Sequence, residues 1–565
     1  MTTIQFEPVK GEIEPTGRVS RWSWPVALLT LLAAVPVVSM IVEVFRSPVL
    51  NFLDYWSVLG LASYPSGQFH LAGLFVVYNG HPVVIAGTLF WLDAKFFGGS
   101  NHTLGLLVVV LSLVVVAALG SMLPRRLSAT TRAGLVAGFT LLLFSSGNLE
   151  NFAEGMSGTH WLSGLAPAIV AIALAHRGRT VPALILGAIA CFGHGAAFPV
   201  WAALALIAWL RGDRRWKVLT PIGVGVLAAI GVAVAYATLP GSGPGVTVPT
   251  LDRLLAVTSG VLGQLWSSQV TELAVLAGTV TAIVLVVGVA LVVTARVRPR
   301  EEQSTDESAD AAGWTGFATH MVLAAALIGL SRAGLADNVG ESGRYAVISG
   351  LAACAALALT AMLWRRLTAL PTVVLALSVG LVTFAIGSGQ ATNVRNQYPN
   401  QSVLAVAARL DAKNSMASLR MRDSVLPAVR GLGAYPFTSE FTLGCGGPEL
   451  GSKLDESSAV TVTPGAVNAT TGGYVESGKV TGDTVISGWA MVNGVHPDCV
   501  LVVDDKDDVI GGGYVGLPRP DVAAAMKTTD NNVGWRAVVA PGATNPQVVA
   551  MAGGKAYLLP VVAGK

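Results

Sequence analysis

The chain has 565 residues, of which 53% are hydrophobic and only 12% charged, and its mean hydropathy is +0.62. Soluble domains carry roughly 25% charged residues, so the composition excludes an ordinary soluble protein and points to the membrane. A net charge of +3 is too small to argue for a nucleic-acid partner.

Residues 1–23 are polar and mixed in charge and read as a cytoplasmic tail. The apolar run after them is longer than the roughly 7–15 residues of a secretory signal core, so it reads as a retained first span. A membrane-crossing helix needs about 20 apolar residues. On that length the candidate spans are 24–45, 103–123, 133–148, 161–176, 181–194, 196–210, 218–238, 271–294, 314–332, 345–363 and 368–387, eleven in all. The pair 181–194 and 196–210 is short and joined only by FGHGAAFP, so two short spans or one bent hairpin both fit.

The basic residues set the orientation. With the N-terminus in the cytoplasm, the inside segments carry Lys10, Arg18 and Arg21, then Arg125, Arg126 and Arg132, then Arg177 and Arg179. Arg211, Arg214, Arg215 and Lys217 follow, then Arg296, Arg298 and Arg300, and last Arg365 and Arg366. The loops facing the other way hold Arg46, Lys95, Arg253, Arg332 and Arg344. Lysine and arginine in short loops mark the cytoplasmic side. Eleven spans then place residues 388–565 on the extracytoplasmic side. Cys191 and Cys354 fall in spans, whereas Cys445 and Cys499 fall in the exported part. There an oxidising compartment permits a Cys445–Cys499 disulfide.

Polar groups gather on the outer side. The first outer loop, 46–102, opens with NFLDYWSVLG, which puts Asp54 just past the first span. The same loop carries a second apolar piece, 70–93, broken by Asn79-Gly80-His81-Pro82. It reads as two interfacial helices or a re-entrant hairpin. The next outer loop, NLENFAEGMSGTHWL, holds Glu150, Glu154 and His160, and FGHGAAFP holds His194. Residues 331–346 supply Arg332, Asp337, Glu341, Arg344 and Tyr345. Ionisable groups at membrane depth are candidates for function. Each also has a plain structural role open to it: Asp54 as a helix N-cap, Glu43 pairing with Arg46 one turn on, His81 and His194 as bonded turn residues.

An inside N-terminus, one span and an acid opening a long first outer loop resemble the GT-C superfamily of integral membrane glycosyltransferases. Asp54 in FLDYW stands at the place of that fold's catalytic acid. The segment YNGHPVVIAGTLFWLD resembles an Asn-x-His segment of some bacterial members, and SRAG with ESGRY resembles their late arginine loop. The resemblance spans about residues 20–390. It implies a polyprenyl-phosphate sugar donor and a glycan or glycolipid acceptor, with the lipid bilayer as partner and no nucleic acid. Asp54 is then the base. Relatives often pair their acids, and Asp54 stands alone beside Tyr55, which leaves Glu150 or Glu154 as the alternative base. Arg332, Arg344 and Tyr345 are expected at the donor phosphate, and Tyr55, His81 and Glu154 at the substrate. No cofactor is required by this reading, and the histidine-rich outer face leaves a divalent metal open, although no metal-ligand spacing such as H-E-x-x-H occurs.

Residues 388–439 read as a linker with a helix in QSVLAVAARLDAKNSMASLRM. From 440 to 565 the chain turns to short valine-rich runs bounded by Gly, Pro, Asn and Asp, such as VTGDTVISGWAMV and VGWRAVVAP. That pattern reads as an extracytoplasmic β-sandwich. Trp489 and Trp535 each follow a glycine and stand either as sugar-stacking residues of a carbohydrate-binding module or as core. The expected architecture is therefore a polytopic helical membrane domain over 24–387 followed by a mainly-β domain. Its expected function is transfer of a lipid-carried sugar to an extracytoplasmic acceptor. A transporter of a lipid-linked saccharide and a non-catalytic envelope-assembly protein are the alternatives.

Overall fold

The computed structural model describes residues 24–238, 241–242, 249–267, 271–298, 305–335, 339–364, 368–454, 459–462, 470–477 and 480–561. The tail 1–23 with Lys10, Arg18 and Arg21 lies outside the described residues, as do Arg300, Asp337, Arg365 and Arg366.

Each apolar run is helical: Trp24–Arg46, Asn101–Ser121, Ala129–Leu143, Gly155–His176, Thr180–Cys191, Val200–Leu210, Arg215–Thr238, Thr271–Val297, Thr305–Arg332, Ala346–Leu363 and Ala369–Ile386. Among the described residues eight helices are long and apolar enough to cross a membrane. A ninth is added if Ala129–Leu143 and Ser146–Ala153, bent by 43° at their junction, count as one. Thr180–Cys191 and Gly195–Leu210 are apolar but short. The expected eleven runs are thus all present, and eight or nine of them have crossing length.

The outward faces suit hydrocarbon. Leu28, Leu31, Val35, Val38 and Val42 recur at helical spacing along the first helix, and all are exposed. Leu276, Val280, Ile283, Val287 and Leu291 do the same on Thr271–Val297. Stripes of that length are placed in lipid rather than water. Inside the bundle, small residues let helices approach closely. Gly155 packs so tightly on Gly105 that a side chain at position 155 has no room. Asn101 locks the same junction, accepting from Gly155 N at 2.8 Å and donating to the Ala153 carbonyl at 2.6 Å. Glu154 is therefore held at a fixed point between two helices. Glu43 pairs with Arg46 at 3.4 Å, as its spacing suggests, and also with Arg395 at 3.0 Å.

The first loop differs from two helices within 70–93. Its helices are Asp54–Ala62 and Val84–Phe96, and between them lie a short turn, Leu71–Leu74, and the two-residue strand Val77–Tyr78, paired with Gly241–Ser242. Asn79 and Gly80 both have positive φ, 48° and 84°. Tyr78 and His81 exchange backbone bonds across them at 3.0 Å each way. This is the Asn-Gly hairpin turn, in which both central residues must be left-handed. It stops a helix from forming where apolarity alone allowed one.

The C-terminal part forms one eight-stranded sheet. Its hydrogen-bonded order is Val460–Thr461, Lys555–Leu559, Gln547–Ala552, Cys499–Val503, Val509–Leu517, Gly534–Val539, Val485–Met491, Gly472–Val475. The two ends of the sheet approach each other, since Val475 N donates to the Pro560 carbonyl at 2.9 Å. The mainly-β domain expected from the sequence is present, but as a single curled sheet rather than a two-sheet sandwich. Register shifts at Val502/Val503 and Val515/Leu517 supply the bend, because bulges increase local twist and curvature. One face closes over Val475, Ile486, Val500, Trp535, Ala537 and Val548. The other packs Cys499, Leu501, Val509 and Val549 against Val403, Leu404, Met416 and Leu443, and this core continues into Tyr55, Leu59 and Phe90 of the first loop. Both faces of the Cys499–Val503 strand are covered, which is why CVLVV shows no alternation. Between bundle and sheet, the linker carries Tyr398–Arg409, which matches the expected helix, and three shorter helices, Ser388–Arg395, Lys413–Ser418 and Leu426–Leu432.

Cys445 and Cys499 are disulfide-bonded, with Cα atoms 5.2 Å apart and 54 residues of separation. Closing a loop of that length removes about 4 kcal/mol of unfolded-state freedom. Cys445→Ser in the full chain is therefore expected to bring protease cleavage within 440–561 at a lower urea concentration than in wild type. Unchanged cleavage midpoints count against the staple.

Candidate functional site

The polar residues picked out from the sequence come from distant segments, yet most line one cavity of about 1390 Å³. Asp54, His81, Glu150, Glu154, Arg332, Arg344 and Tyr345 all face it, and His160, Trp161 and His194 join them. They stand at the end of the bundle that also carries the first loop and the C-terminal sheet.

Asp54 opens the helix Asp54–Ala62 but does not cap it: the N-cap position is Leu53, and no side-chain cap bond is made. Leu53 has φ 48°, a region that costs a branched residue energy and is held only where the surroundings enforce it. The Asp54 carboxylate accepts from Tyr78 Oη at 2.8 Å and from Asn79 Nδ2 at 3.5 Å. Burial, then the Asp54 charge, push the Tyr78 hydroxyl up to about 12, so at neutral pH it remains a donor. The Asn-Gly turn thus presents Tyr78 and Asn79 to one acid. Arg332 fastens the turn from the far side, donating to the Asn79 carbonyl at 2.9 Å.

Glu150 and Glu154 lie one turn apart, both in the cavity wall. Gly343 leaves space that Glu150 fills, because a side chain at 343 would strike its carboxylate. Asn151 ties the two segments together, donating to Asn148 Oδ1 at 2.8 Å and to the Arg344 carbonyl at 3.2 Å. Burial first, and the neighbouring Glu150 second, raise Glu154, with Arg344 opposing. Glu154 therefore holds its proton more readily than a free carboxylate. Arg344 is exposed to the cavity mouth, its guanidinium bonded to Ser342 Oγ at 2.9 Å and 6.0 Å from the Tyr345 ring centroid.

The rings form a continuous wall. Tyr345 meets Trp161 edge-on at 5.6 Å, and Trp161 lies 4.0 Å from His194. His194 lies 4.3 Å from His81 and 5.2 Å from His160 between ring centroids. Burial holds His81 and His194 well below the usual histidine range, with neighbouring imidazoles and Arg332 adding to it. Those two rings are neutral at physiological pH.

Three expected site residues are not in the cavity. Tyr55 is buried in the first-loop core and donates to Asp93 Oδ2 at 3.3 Å. In the helix Asp54–Ala62 adjacent side chains diverge by about 100°, so Asp54 and Tyr55 cannot face the same ligand. Trp489 and Trp535 are 3% and 0% exposed. Trp489 packs on Met491, Val522 and Met526, and Trp535 fills the centre of the sheet. Neither presents a ring face on which a sugar can stack. Tyr78, Asn79, His160 and His194 are the residues that belong in the site in their place. The Asn-Gly pair was the available signal for the first two, as a hairpin turn rather than a helix break.

Asp93 lies behind the site, in the helix Val84–Phe96. Burial pushes it up to about 8, although the Tyr55 hydroxyl works the other way. Its folded value lies above the unfolded one near 4, so the folded state binds this proton more tightly. The resulting stability is complete below about pH 4 and is lost as pH rises through about 8. A difference of this kind is worth on the order of a few kcal/mol. Thermal melts between pH 5 and 9 are expected to fall more steeply for wild type than for Asp93→Asn. Parallel curves count against a protonated Asp93.

No protein-family model, no curated protein and no solved structure matches this chain.

Proposed function

We propose that the protein is a membrane glycosyltransferase of the GT-C type that moves a sugar from a polyprenyl-phosphate carrier to a cell-envelope glycan or glycolipid. One observation carries the reading. The cavity joins an apolar groove, lined by Ala188, Ile222, Val226, Leu323 and Leu327, to a polar end holding Asp54, Glu154, Arg332 and Arg344. A lipid-phosphate sugar is divided in the same way into an apolar chain, an anion and a polyol. Guanidinium groups suit the phosphate, since their fork matches its oxygens.

The chemistry is a displacement at the anomeric carbon. The acceptor hydroxyl oxygen bonds to that carbon, its proton passes to the Asp54 carboxylate, and the carbon–oxygen bond to phosphate breaks. The electron pair leaves on the lipid phosphate, whose charge Arg332 and Arg344 offset. Asp54 is favoured over Glu154 as base because burial, with Glu150 beside it, favours the protonated form of Glu154. The orientation proposed with this places the N-terminus in the cytoplasm and the sheet domain outside the plasma membrane. Support comes from Arg126, Arg177 and Arg211 at the opposite end of the bundle and from the disulfide at this end, by the positive-inside bias and the redox rule.

The test is release of lipid phosphate. The purified full chain in proteoliposomes, given polyprenyl-phosphate sugars of several kinds and envelope glycan as acceptor, is expected to liberate polyprenyl phosphate from one of them. Movement of intact lipid-linked sugar across the bilayer, with no phosphate release, identifies a transporter instead.

A further inference from the structure

His81, His160 and His194 come from three separate segments and meet on one side of the cavity. Each offers one ring nitrogen, and these atoms all lie within 4.8 Å of one another. The convergence is built into the backbone. His81 sits on the Asn-Gly turn, and Gly195 lets the neighbouring loop approach so closely that a side chain at 195 would fall 3.2 Å from the His81 Cβ. Gly164 seats His194 in the same way, with a side chain there falling 2.8 Å from the His194 Cβ.

We propose that this cluster binds one divalent transition-metal ion of the zinc class, with the three imidazoles as its protein ligands. The inference does not depend on the transferase reading.

A further observation points to a ligand. His160 is 8% exposed and its Nε2 is buried without a hydrogen-bond partner. A buried polar nitrogen left unpaired is costly, and a cation removes that cost. Three imidazoles this close do not all carry charge, and a neutral imidazole is the form that binds metal.

The geometry also ranks the ligands. Tetrahedral zinc with bonds of about 2.0–2.1 Å holds its nitrogens about 3.3 Å apart, so the rings draw together on binding. His194 Nδ1 accepts the Ala196 N–H at 3.0 Å. Ligation by His194 competes with that bond by either route. At Nδ1 the cation takes the same lone pair, and at Nε2 the ring proton must move to Nδ1. His81 and His160 are therefore the stronger ligands, and the site is a removable one. Three protein ligands leave a fourth position open, here toward the cavity that Asp54 and Arg332 also line.

The experiment uses the full chain purified in detergent without a histidine tag, stripped with chelator and titrated with Zn²⁺ or Co²⁺. Wild type is expected to retain about one ion per chain after desalting, and the cobalt form to show the strong visible absorption of a tetrahedral site. His81→Ala and His160→Ala are each expected to weaken binding by at least about tenfold, more than His194→Ala does, and the His81→Ala/His160→Ala pair to abolish it. Retention by wild type no greater than by that pair overturns the proposal. If the variants lose their thermal transition, X-ray absorption of zinc-loaded wild type decides: imidazole scattering from two or three rings supports the site, and an all-oxygen shell overturns it. None of these readouts involves sugar transfer, so a metal-free transferase and a metal-binding non-transferase are told apart.

Discussion

Asp54→Asn is expected to lower sugar transfer by about 10²–10⁴-fold, the range typical of a lost general base. The substitution is nearly isosteric. The Asn side-chain oxygen still accepts from Tyr78 Oη, which now bonds Asp54 at 2.8 Å, so the Asn-Gly turn keeps its anchor and the melting transition its position. What is lost is the negative charge and the ability to take a proton. Because Asp54 caps no helix, a purely structural account predicts almost no change. Full activity in a folded Asp54→Asn protein would falsify the assignment of the base and direct attention to Glu154→Gln. Tyr78→Phe adds a finer test. It removes a donor to the carboxylate but leaves the charge, so it is expected to change rate several-fold at most.

The second large effect is expected at Arg332. Its guanidinium gives one N–H to the Asn79 carbonyl at 2.9 Å and faces the cavity beside the histidines. Arg332→Gln removes a charge-assisted contact to the proposed phosphate, worth about 2–4 kcal/mol, or about 30- to 1000-fold in kcat/KM. Arg332→Lys keeps the charge without the planar fork and is expected to fall between wild type and Arg332→Gln. Donor binding measured separately from turnover shows where the loss lies. If Arg332→Gln binds and turns over donor as wild type does, the arginine only fastens the turn. Arg344 is more exposed and bonded to Ser342, so its replacement is expected to cost less.

Much of the architecture was legible in the chain. Runs of apolar residues are local signals, and each of the eleven candidate spans became a helix near its expected place. The disulfide pair followed from which cysteines lay outside the apolar runs, and the valine-rich tail is indeed a sheet domain. The candidate site was legible through placement: charged groups are costly in hydrocarbon, so those flanking alternate ends of successive spans had to meet at one end of the bundle. Asp54, Glu150, Glu154, Arg332, Arg344 and Tyr345 do meet there.

Direction and burial were not legible. Nothing in DYW distinguishes the acid in the cavity from the tyrosine behind it; that depends on how Asp54–Ala62 lies on Val84–Phe96. Trp489 and Trp535 follow glycines that look like surface features, yet the sheet curls over one and a helix covers the other. The sheet itself was expected as two layers, because strand spacing does not reveal where bulges will bend it. The histidine cluster is the clearest case. His81, His160 and His194 are scattered along the sequence, and no ligand spacing links them. Three independent close approaches, permitted by glycine at 164 and 195 and by the Asn-Gly turn, place their rings together. The sequence alone determined which segments are apolar, where they begin and end, and which charges lie between them, because hydrophobicity and charge act locally. Only the tertiary structure decided which of those charges face a common cavity, because that is set by packing between segments far apart in the chain.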